Sequence, residues 1–94
     1  MRDTWFEWDD LKAARNLAKH GVSFDAARAV FEDPHVIEQA DGRRDYGEPR
    51  YMAIGVVDGR LISVAYTVRG ERVRIISGRR AEPRERRRYH EGSL

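Results

Sequence analysis

The 94-residue sequence contains no cysteine, which excludes disulfide bonds and zinc sites with thiolate ligands. It has no apolar run near the roughly 18 residues that a membrane span requires. Its start, MRDTWFE, lacks the apolar segment of a signal peptide, so we expect a cytoplasmic protein. Neither a Walker-type phosphate loop nor a GxGxxG motif is present, so the common sequence signatures of nucleotide binding are excluded.

Histidine is scarce as well. The three histidines, His20, His35 and His90, are scattered, and no HxH or DxD pair occurs. Without cysteine, this leaves no set of ligands at the spacing that a zinc site uses. The sequence therefore predicts neither a bound metal nor a cofactor. His35 and His90 match no motif, and we expect them at the surface.

Lysine is nearly absent: 16 of the 18 basic residues are arginine, and only Lys12 and Lys19 are lysine. Arginine binds phosphate through a planar fork of donors and stacks on bases, although a GC-rich genome would also enrich it. Residues 69–94 carry nine arginines against four glutamates, which gives +5. Residues 1–68 carry nine basic and twelve acidic residues, which gives −3. This polarity predicts an arginine-rich face that binds nucleic acid.

The chain is short enough to form one domain, residues 1–94, with one modest core. Its first third predicts two short helices. Asp9 or Asp10 can cap the first helix and Gly21 can end it, whereas Ser23 can cap the second and Pro34 can end it. Residues at the spacing of one helix face are Leu11, Ala14, Leu17 and Ala18 in the first helix, and Phe24, Ala27 and Phe31 in the second.

The rest of the chain is strand-like before it turns helical again. Strands are predicted at residues 51–57 and 60–68, joined by the hairpin signal Asp58-Gly59, and at residues 72–77. A highly charged helix closes the chain at residues 82–91. Residues 4–8 and 35–38 are also consistent with short strands. The order (β)ααβββα predicts an α+β fold, a small antiparallel sheet with helices packed on one face and the other face more open.

The residues also resemble a known family. The matching positions are Phe6-Glu7-Trp8-Asp9, Lys12, Asn16, Lys19-His20-Gly21, Phe24, Ala27, Phe31, Asp45, Glu48, Arg50, Ile54-Gly55, Val64-Ala65-Tyr66-Thr67, Arg69, Arg74-Ile75-Ile76-Ser77, Arg79, Ala81, Glu85-Arg86 and Tyr89. This ordered set resembles the BrnT family of bacterial ribonuclease toxins over nearly the whole chain.

The resemblance implies a RelE-like fold and an endoribonuclease that cleaves RNA to arrest growth. It also implies a cognate BrnA-like antitoxin with a ribbon-helix-helix part, which would bind operator DNA together with the toxin. The chain departs from the family pattern at Gly78-Arg79-Arg80, where related sequences often carry a non-basic third residue. Either Arg79 or Arg80 can therefore be the site residue.

RNA is cut without a metal when a base accepts the proton of the 2′-hydroxyl and cations stabilise the charge that develops on the phosphate. We expect Arg50, Arg69 and Arg79, which lie at strand ends or beside turns, to converge on one rim of the sheet. There they would bind the phosphate and stabilise that charge. The alternative is that they are solvated strand ends or partners of nearby carboxylates.

Proton transfer is assigned to His20 or Glu48. His20 has a side chain suited to acid–base work, but it also suits a helix C-terminus as a simple cation. Glu48, like Asp45, either accepts a proton or pairs with arginines and holds them in place, and we favour the pairing. Which residue acts as base and which as acid stays open.

Further RNA contacts are expected from Lys19, Tyr46, Arg74 and Arg80, with Tyr46 stacking on a base. Trp8 is interpreted as a core residue, and Tyr66 fits either face of the sheet. The arginines of the closing helix are candidates for contact with RNA or with an acidic antitoxin surface. The competing hypothesis is a module that binds RNA or DNA without cleaving it.

Overall fold

In the computed structural model, the described residues, 5–42 and 47–92, form three helices and one five-stranded sheet. The helices are α1 (Asp10–His20), α2 (Phe24–Ala29) and α3 (Pro83–Glu91), and a 3₁₀ turn, Val30–Glu32, follows α2. The strands are β1 (Phe6–Glu7), β2 (Ile37–Ala40), β3 (Tyr51–Val57), β4 (Arg60–Arg69) and β5 (Arg72–Arg80). The predicted α+β class and the order of elements are confirmed.

The strand order across the sheet is β1-β5-β4-β3-β2. Strands β3 to β5 form the predicted antiparallel meander with its Asp58-Gly59 turn, and β2 adds a fourth antiparallel strand beside β3. The sheet is mixed because β1 pairs with β5 in parallel, with Phe6 opposite Val73. Strand β2 starts two residues later than the predicted short strand, and β5 continues to Arg80 rather than ending at Ser77.

One face of the sheet packs against α1, α2 and the 3₁₀ turn, and we call it the helix face. The helices lie close to the strands at two glycines. A Cβ at Gly55 would lie 2.9 Å from the carbonyl oxygen of Val30, and one at Gly78 would lie 3.3 Å from the Cβ of Ala27. The core between the two layers consists of Val22, Phe24, Ala27, Val30, Ala53, Ile62, Val64, Tyr66 and Ile75.

Helix α1 does not turn its most apolar stripe towards this core. Leu11 and Leu17 are 59% and 51% exposed, and Ala14 and Ala18 are exposed too. The residue that α1 buries is Asn16, which binds the backbone of β5 and of the segment after the helix. The helical spacing of the four apolar residues is real, but the hydrogen bonds of Asn16 orient the opposite side of the helix towards the sheet.

Helix α3 lies against the other face of the sheet, so the expected arrangement of all helices on one face does not hold for it. Its Glu85 binds Arg79 of β5, and its Tyr89 donates to Asp33 at 2.6 Å. The helix has no buried residue, so these polar contacts fasten it at both ends. No helix within residues 5–42 and 47–92 is long and apolar enough to cross a membrane.

Candidate nucleic-acid interface

Five of the arginines that the structure describes share the face of the sheet opposite α1 and α2, and we call it the arginine face. In the register of β4 with β5, Arg74 lies opposite Thr67. Arg79 lies opposite Ser63 in the same register. Because Thr67 and Ser63 are both odd-numbered positions of one strand, these side chains point to the same side of the sheet. By the same alternation, the full set is Arg50, Arg69, Arg72, Arg74 and Arg79.

Three of these arginines meet two carboxylates at one end of the face, and we call this group the arginine cluster. Glu7 of β1 lies 3.0 Å from Arg74 and 3.8 Å from Arg72, measured between carboxylate oxygen and guanidinium nitrogen. Glu48 lies 3.4 Å from Arg69. The side chains of Arg69 and Arg72 are 52% and 53% exposed, so part of each guanidinium faces solvent. A guanidinium has five donor hydrogens, so a bound carboxylate leaves donors for a phosphate.

The loop before β3 is held at this end of the sheet. The hydroxyl of Thr67 donates to the carbonyl oxygen of Pro49 at 2.6 Å, and the N–H of Asp41 donates to the carbonyl of Arg50 at 2.7 Å. These bonds fix the backbone on both sides of the half-buried Arg50 and keep Glu48 beside Arg69. The favoured interpretation of Glu48, as a partner that holds an arginine, matches this contact.

Arg79 does not join the arginine cluster. It lies opposite Ser63, six residues before Arg69 on β4, which corresponds to about 20 Å along the strand. Its guanidinium donates to both oxygens of Glu85, at 2.8 and 2.9 Å. The three predicted arginines therefore share one face of the sheet but not one rim.

The Arg79–Glu85 pair is an electrostatic anchor for α3. Its hydrogen bond with Glu85 raises the pKa of Arg79 above its ordinary value, against the opposing effect of burial. Burial alone would raise the pKa of Glu85, but the bonds from Arg79 and from the N–H of Glu82 outweigh it and lower that pKa. Both groups stay charged, and Glu85 also caps the first turn of α3.

Lys19 and His20 of α1 lie in the helix layer, on the opposite side of the sheet from the arginine face. Helix α1 runs alongside β5, since Asn16 binds Gly78, and Lys19 and His20 follow in its exposed last turn. Among the described residues, no hydrogen bond or ion pair connects His20 to an arginine. Of the two residues assigned to proton transfer, the structure brings Glu48, and not His20, to the arginine cluster.

The remaining residues singled out from the sequence lie outside the arginine cluster or outside the described residues. Tyr66 faces the helices: it is buried, donates to Glu38, and packs against Phe31 and Tyr51. Burial, reinforced by this bond, raises its pKa strongly. Trp8 packs edge-to-face on Phe24, with ring centroids 6.0 Å apart, as expected of a core residue. Asp45 and Tyr46 lie outside the described residues.

Sequence reasoning missed Glu7 and Arg72 as members of the cluster, and Glu85 as the partner of Arg79. The signal for Arg72 was present, because it is two residues before Arg74 in a predicted strand and must share its face. Glu7 had no such signal, since it meets Arg74 only through the parallel pairing of the first strand with the last.

An arginine face with carboxylates at its edge suits a ligand that carries phosphates. No group of three or more histidine, aspartate or glutamate side chains that could hold a metal occurs within residues 5–42 and 47–92.

The chain belongs to the BrnT family, since residues 8–85 match the model of the family described as the ribonuclease toxin, BrnT, of type II toxin–antitoxin systems. No curated protein matches the chain. The family is one of ribonucleases that act on RNA and are paired with an antitoxin.

Proposed function

We propose that the chain is a metal-independent endoribonuclease whose active site is the arginine cluster. The observation that carries the proposal is the meeting of Arg69, Arg72 and Arg74 with Glu7 and Glu48 on one exposed face. The arginines supply the positive charge that a metal ion supplies in other nucleases. The carboxylates supply a proton acceptor beside that charge.

The proposed reaction is in-line attack by an RNA 2′-hydroxyl on the neighbouring phosphate. Glu48 accepts the proton of the hydroxyl while the 2′-oxygen forms a bond to phosphorus. The bond from phosphorus to the 5′-oxygen breaks, and that oxygen takes a proton from water. The products are a 2′,3′-cyclic phosphate and a 5′-hydroxyl. Arg69 and Arg74 stabilise the negative charge on the phosphate oxygens during the step.

The other predicted site residues have secondary roles in this proposal. Arg50 supports the loop that carries Glu48, and Arg79 holds α3 through Glu85. Lys19, Tyr46 and Arg80 remain proposed RNA contacts beyond the cluster. His20 remains a proposed proton donor only if RNA itself connects it to the cluster, because no described contact does so.

The test is cleavage of a 5′-labelled RNA by the purified protein in the presence of EDTA. We expect cleavage to continue, to end in a cyclic phosphate, and to spare the DNA strand of the same sequence, which has no 2′-hydroxyl. Arg74→Gln should slow cleavage about 10²-fold, whereas Arg15→Gln, which changes an exposed arginine of α1, should cleave like the wild type. Activity that EDTA abolishes and magnesium restores would reject the metal-independent mechanism.

The second candidate function is RNA or DNA binding without cleavage. It is favoured by the pairing of each arginine in the cluster with a carboxylate, which is also what a purely structural arrangement would show. Protein that binds the labelled RNA and leaves it intact under all these conditions would establish this alternative.

We further propose that the antitoxin is a BrnA-like protein with a ribbon-helix-helix part, and that the pair binds operator DNA through the antitoxin. The family resemblance supports this assignment. Co-expression should restore growth and give a stable complex. That complex should shift operator DNA in a gel, whereas this chain alone should not.

A further inference from the structure

The described cations differ in whether a carboxylate balances them. Arg69, Arg72, Arg74 and Arg79 all have a glutamate within 4.0 Å. A second group of basic side chains, which lines one cavity at the opposite end of β4, has none. Its members are Arg60, Arg80, Arg86 and His90, and we call it the basic pocket.

The basic pocket is a concave site between the β3–β4 turn and α3. Its volume is about 280 Å³, and Val56 and Leu61 contribute apolar wall. Within the part of the chain that the structure describes, none of its arginines forms an ion pair. Arg86 makes one weak bond, from Nε to the carbonyl oxygen of Ala81 at 3.5 Å.

Glu32, Asp33 and Asp58 line a separate cavity, which shares Val56 with the basic pocket. Asp33 accepts bonds from Tyr89, from the N–H of Val56 and from the N–H of His35. These bonds outweigh its burial and lower the pKa of Asp33, so the carboxylate is already satisfied.

Like charges that line one concavity repel one another and concentrate positive potential inside it. An anion that enters removes the repulsion and gains hydrogen bonds from several guanidinium forks at once. We propose that Arg60, Arg80, Arg86 and His90 form a phosphate-binding pocket that holds the RNA backbone at the end of the sheet opposite the arginine cluster.

The position of the pocket favours RNA over a small anion as its occupant. Arg60 and Arg69 are the two ends of β4, nine residues apart, which corresponds to about 30 Å. Arg86 and His90 of the pocket belong to α3, which lies against the arginine face that also carries Arg69 of the cluster. By the strand register Arg60 and Arg80 point to the helix face, so the pocket lies at the end of the sheet, where a strand that leaves the arginine face can reach it. The inference rests on the proposed action on RNA and extends it: the substrate is a strand long enough to reach both sites.

The experiment measures binding without cleavage. The probe is a fluorescein-labelled, 20-nucleotide single strand of 2′-O-methyl RNA, which has no 2′-hydroxyl to attack, and affinity is followed by anisotropy from 50 to 300 mM KCl. The test variant is Arg60→Gln with Arg86→Gln. The control is Lys12→Gln with Arg15→Gln, which removes the same charge from exposed positions of α1 outside the pocket.

We expect the test variant to lose two phosphate contacts. The slope of log affinity against log salt should fall by about 1.4, and the affinity at 0.1 M salt by about 25-fold. A four-nucleotide probe, too short to reach both sites, should lose much less. If the double variant unfolds at lower temperature than the control, Arg60→Gln alone should still lower the slope by about 0.7.

Three results would overturn the proposal. A control variant that loses as much affinity as the test variant would show that net charge alone, and not the pocket, determines binding. If the test variant binds a poly-glutamate peptide less tightly than the wild type does but binds RNA equally well, the pocket would be assigned to an acidic protein. If inorganic phosphate stabilises the wild type against heat, and the slope of log RNA affinity against log salt is the same in both variants, the pocket would be assigned to free phosphate. Failure of cleavage is a separate result, because the methylated probe reports binding alone.

Discussion

Asn16 is the polar residue that joins the helix layer to the sheet. Its Nδ2 donates to the carbonyl oxygens of Val22 and Gly78 at 2.9 and 2.8 Å, and its Oδ1 accepts from the N–H of Gly78 at 3.2 Å. The side chain is only 7% exposed, so water cannot replace these partners easily. A buried amide that satisfies three backbone groups fixes how α1 sits on β5.

Asn16→Ala should therefore lower the free energy of unfolding by about 2–4 kcal/mol, because buried backbone groups lose their partners. The measurement is urea unfolding followed by circular dichroism. Leu17→Ala, on the exposed side of the same helix, is the control and should change stability by less than about 0.5 kcal/mol. Equal losses in the two variants would show that Asn16 is no anchor.

Gly55 is required by close packing rather than by its backbone angles. A Cβ there would lie 2.9 Å from the carbonyl oxygen and 3.0 Å from Cγ1 of Val30, so the 3₁₀ turn would have to move away from β3. Gly55→Ala should cost about 1–3 kcal/mol of stability. Gly42→Ala, where a Cβ would meet nothing within 4 Å, should be close to neutral. Urea midpoints of the two variants test the difference.

At the scale of elements, polar contacts hold both ends of α3. Arg79–Glu85 holds its first turn, and Tyr89–Asp33 holds its last. The bond to Asp33, with some burial, raises the pKa of Tyr89 to about 12. A helix attached in this way depends on the charge of two carboxylates, so its attachment should weaken in acid.

The direction in which stability changes with pH follows from Glu85, whose pKa is lowered in the folded protein. Below the unfolded pKa of about 4.3 the unfolded chain binds the proton first, so stability is lost as the pH falls through the folded pKa. We expect Glu85→Gln to be less stable than the wild type at pH 7 and to lose less stability between pH 5 and pH 3. Asp33 should leave some acid sensitivity in the variant.

Urea midpoints at pH 7, 5, 4 and 3 measure this dependence. Glu91→Gln, which removes an exposed carboxylate from the same helix, is the matched control and should follow the wild-type curve. A Glu85→Gln curve parallel to that of the wild type would mean that Glu85 does not couple α3 to pH.

The sequence predicted elements better than it predicted which sides of them are buried. Asp9 and Ser23 cap their helices as expected, and Asp58-Gly59 forms the hairpin turn, because these signals act between near neighbours. The apolar stripe of α1 was misleading, since a single amide with partners 6 and 62 residues away decides the orientation. The separation of Arg79 from Arg69 depends on register, which strand-end positions alone do not give.

At the scale of the whole molecule, the site depends on contact between the two ends of the chain. Glu7 reaches Arg74 across 67 residues because β1 pairs with β5 in parallel. The acidic first part of the chain thus places both carboxylates of the cluster, Glu7 and Glu48, beside the cations of the basic last part. The charge polarity seen along the sequence becomes, in the fold, a balanced cluster rather than an unmixed basic surface.

This balance leads to opposite effects on binding and on cleavage when Glu7 becomes Gln. Removing the negative charge frees Arg72 and Arg74 to attract phosphate, so the affinity for uncleavable 2′-O-methyl RNA should rise. The same change removes the acceptor that orients Arg74, at 3.0 Å, and misaligned donors stabilise a transition state poorly. Single-turnover cleavage should therefore slow, by about 10-fold or more.

Anisotropy with the methylated strand and single-turnover cleavage of the unmodified strand measure the two effects on the same protein. Glu71→Gln is the control: it removes an exposed carboxylate from the turn between β4 and β5, so it changes net charge equally without touching the cluster. If Glu7→Gln tightens binding and cleaves as fast as this control, Glu7 only lowers affinity. If binding tightens and cleavage slows, the carboxylate positions the arginines, and catalysis requires the two ends of the chain to pair.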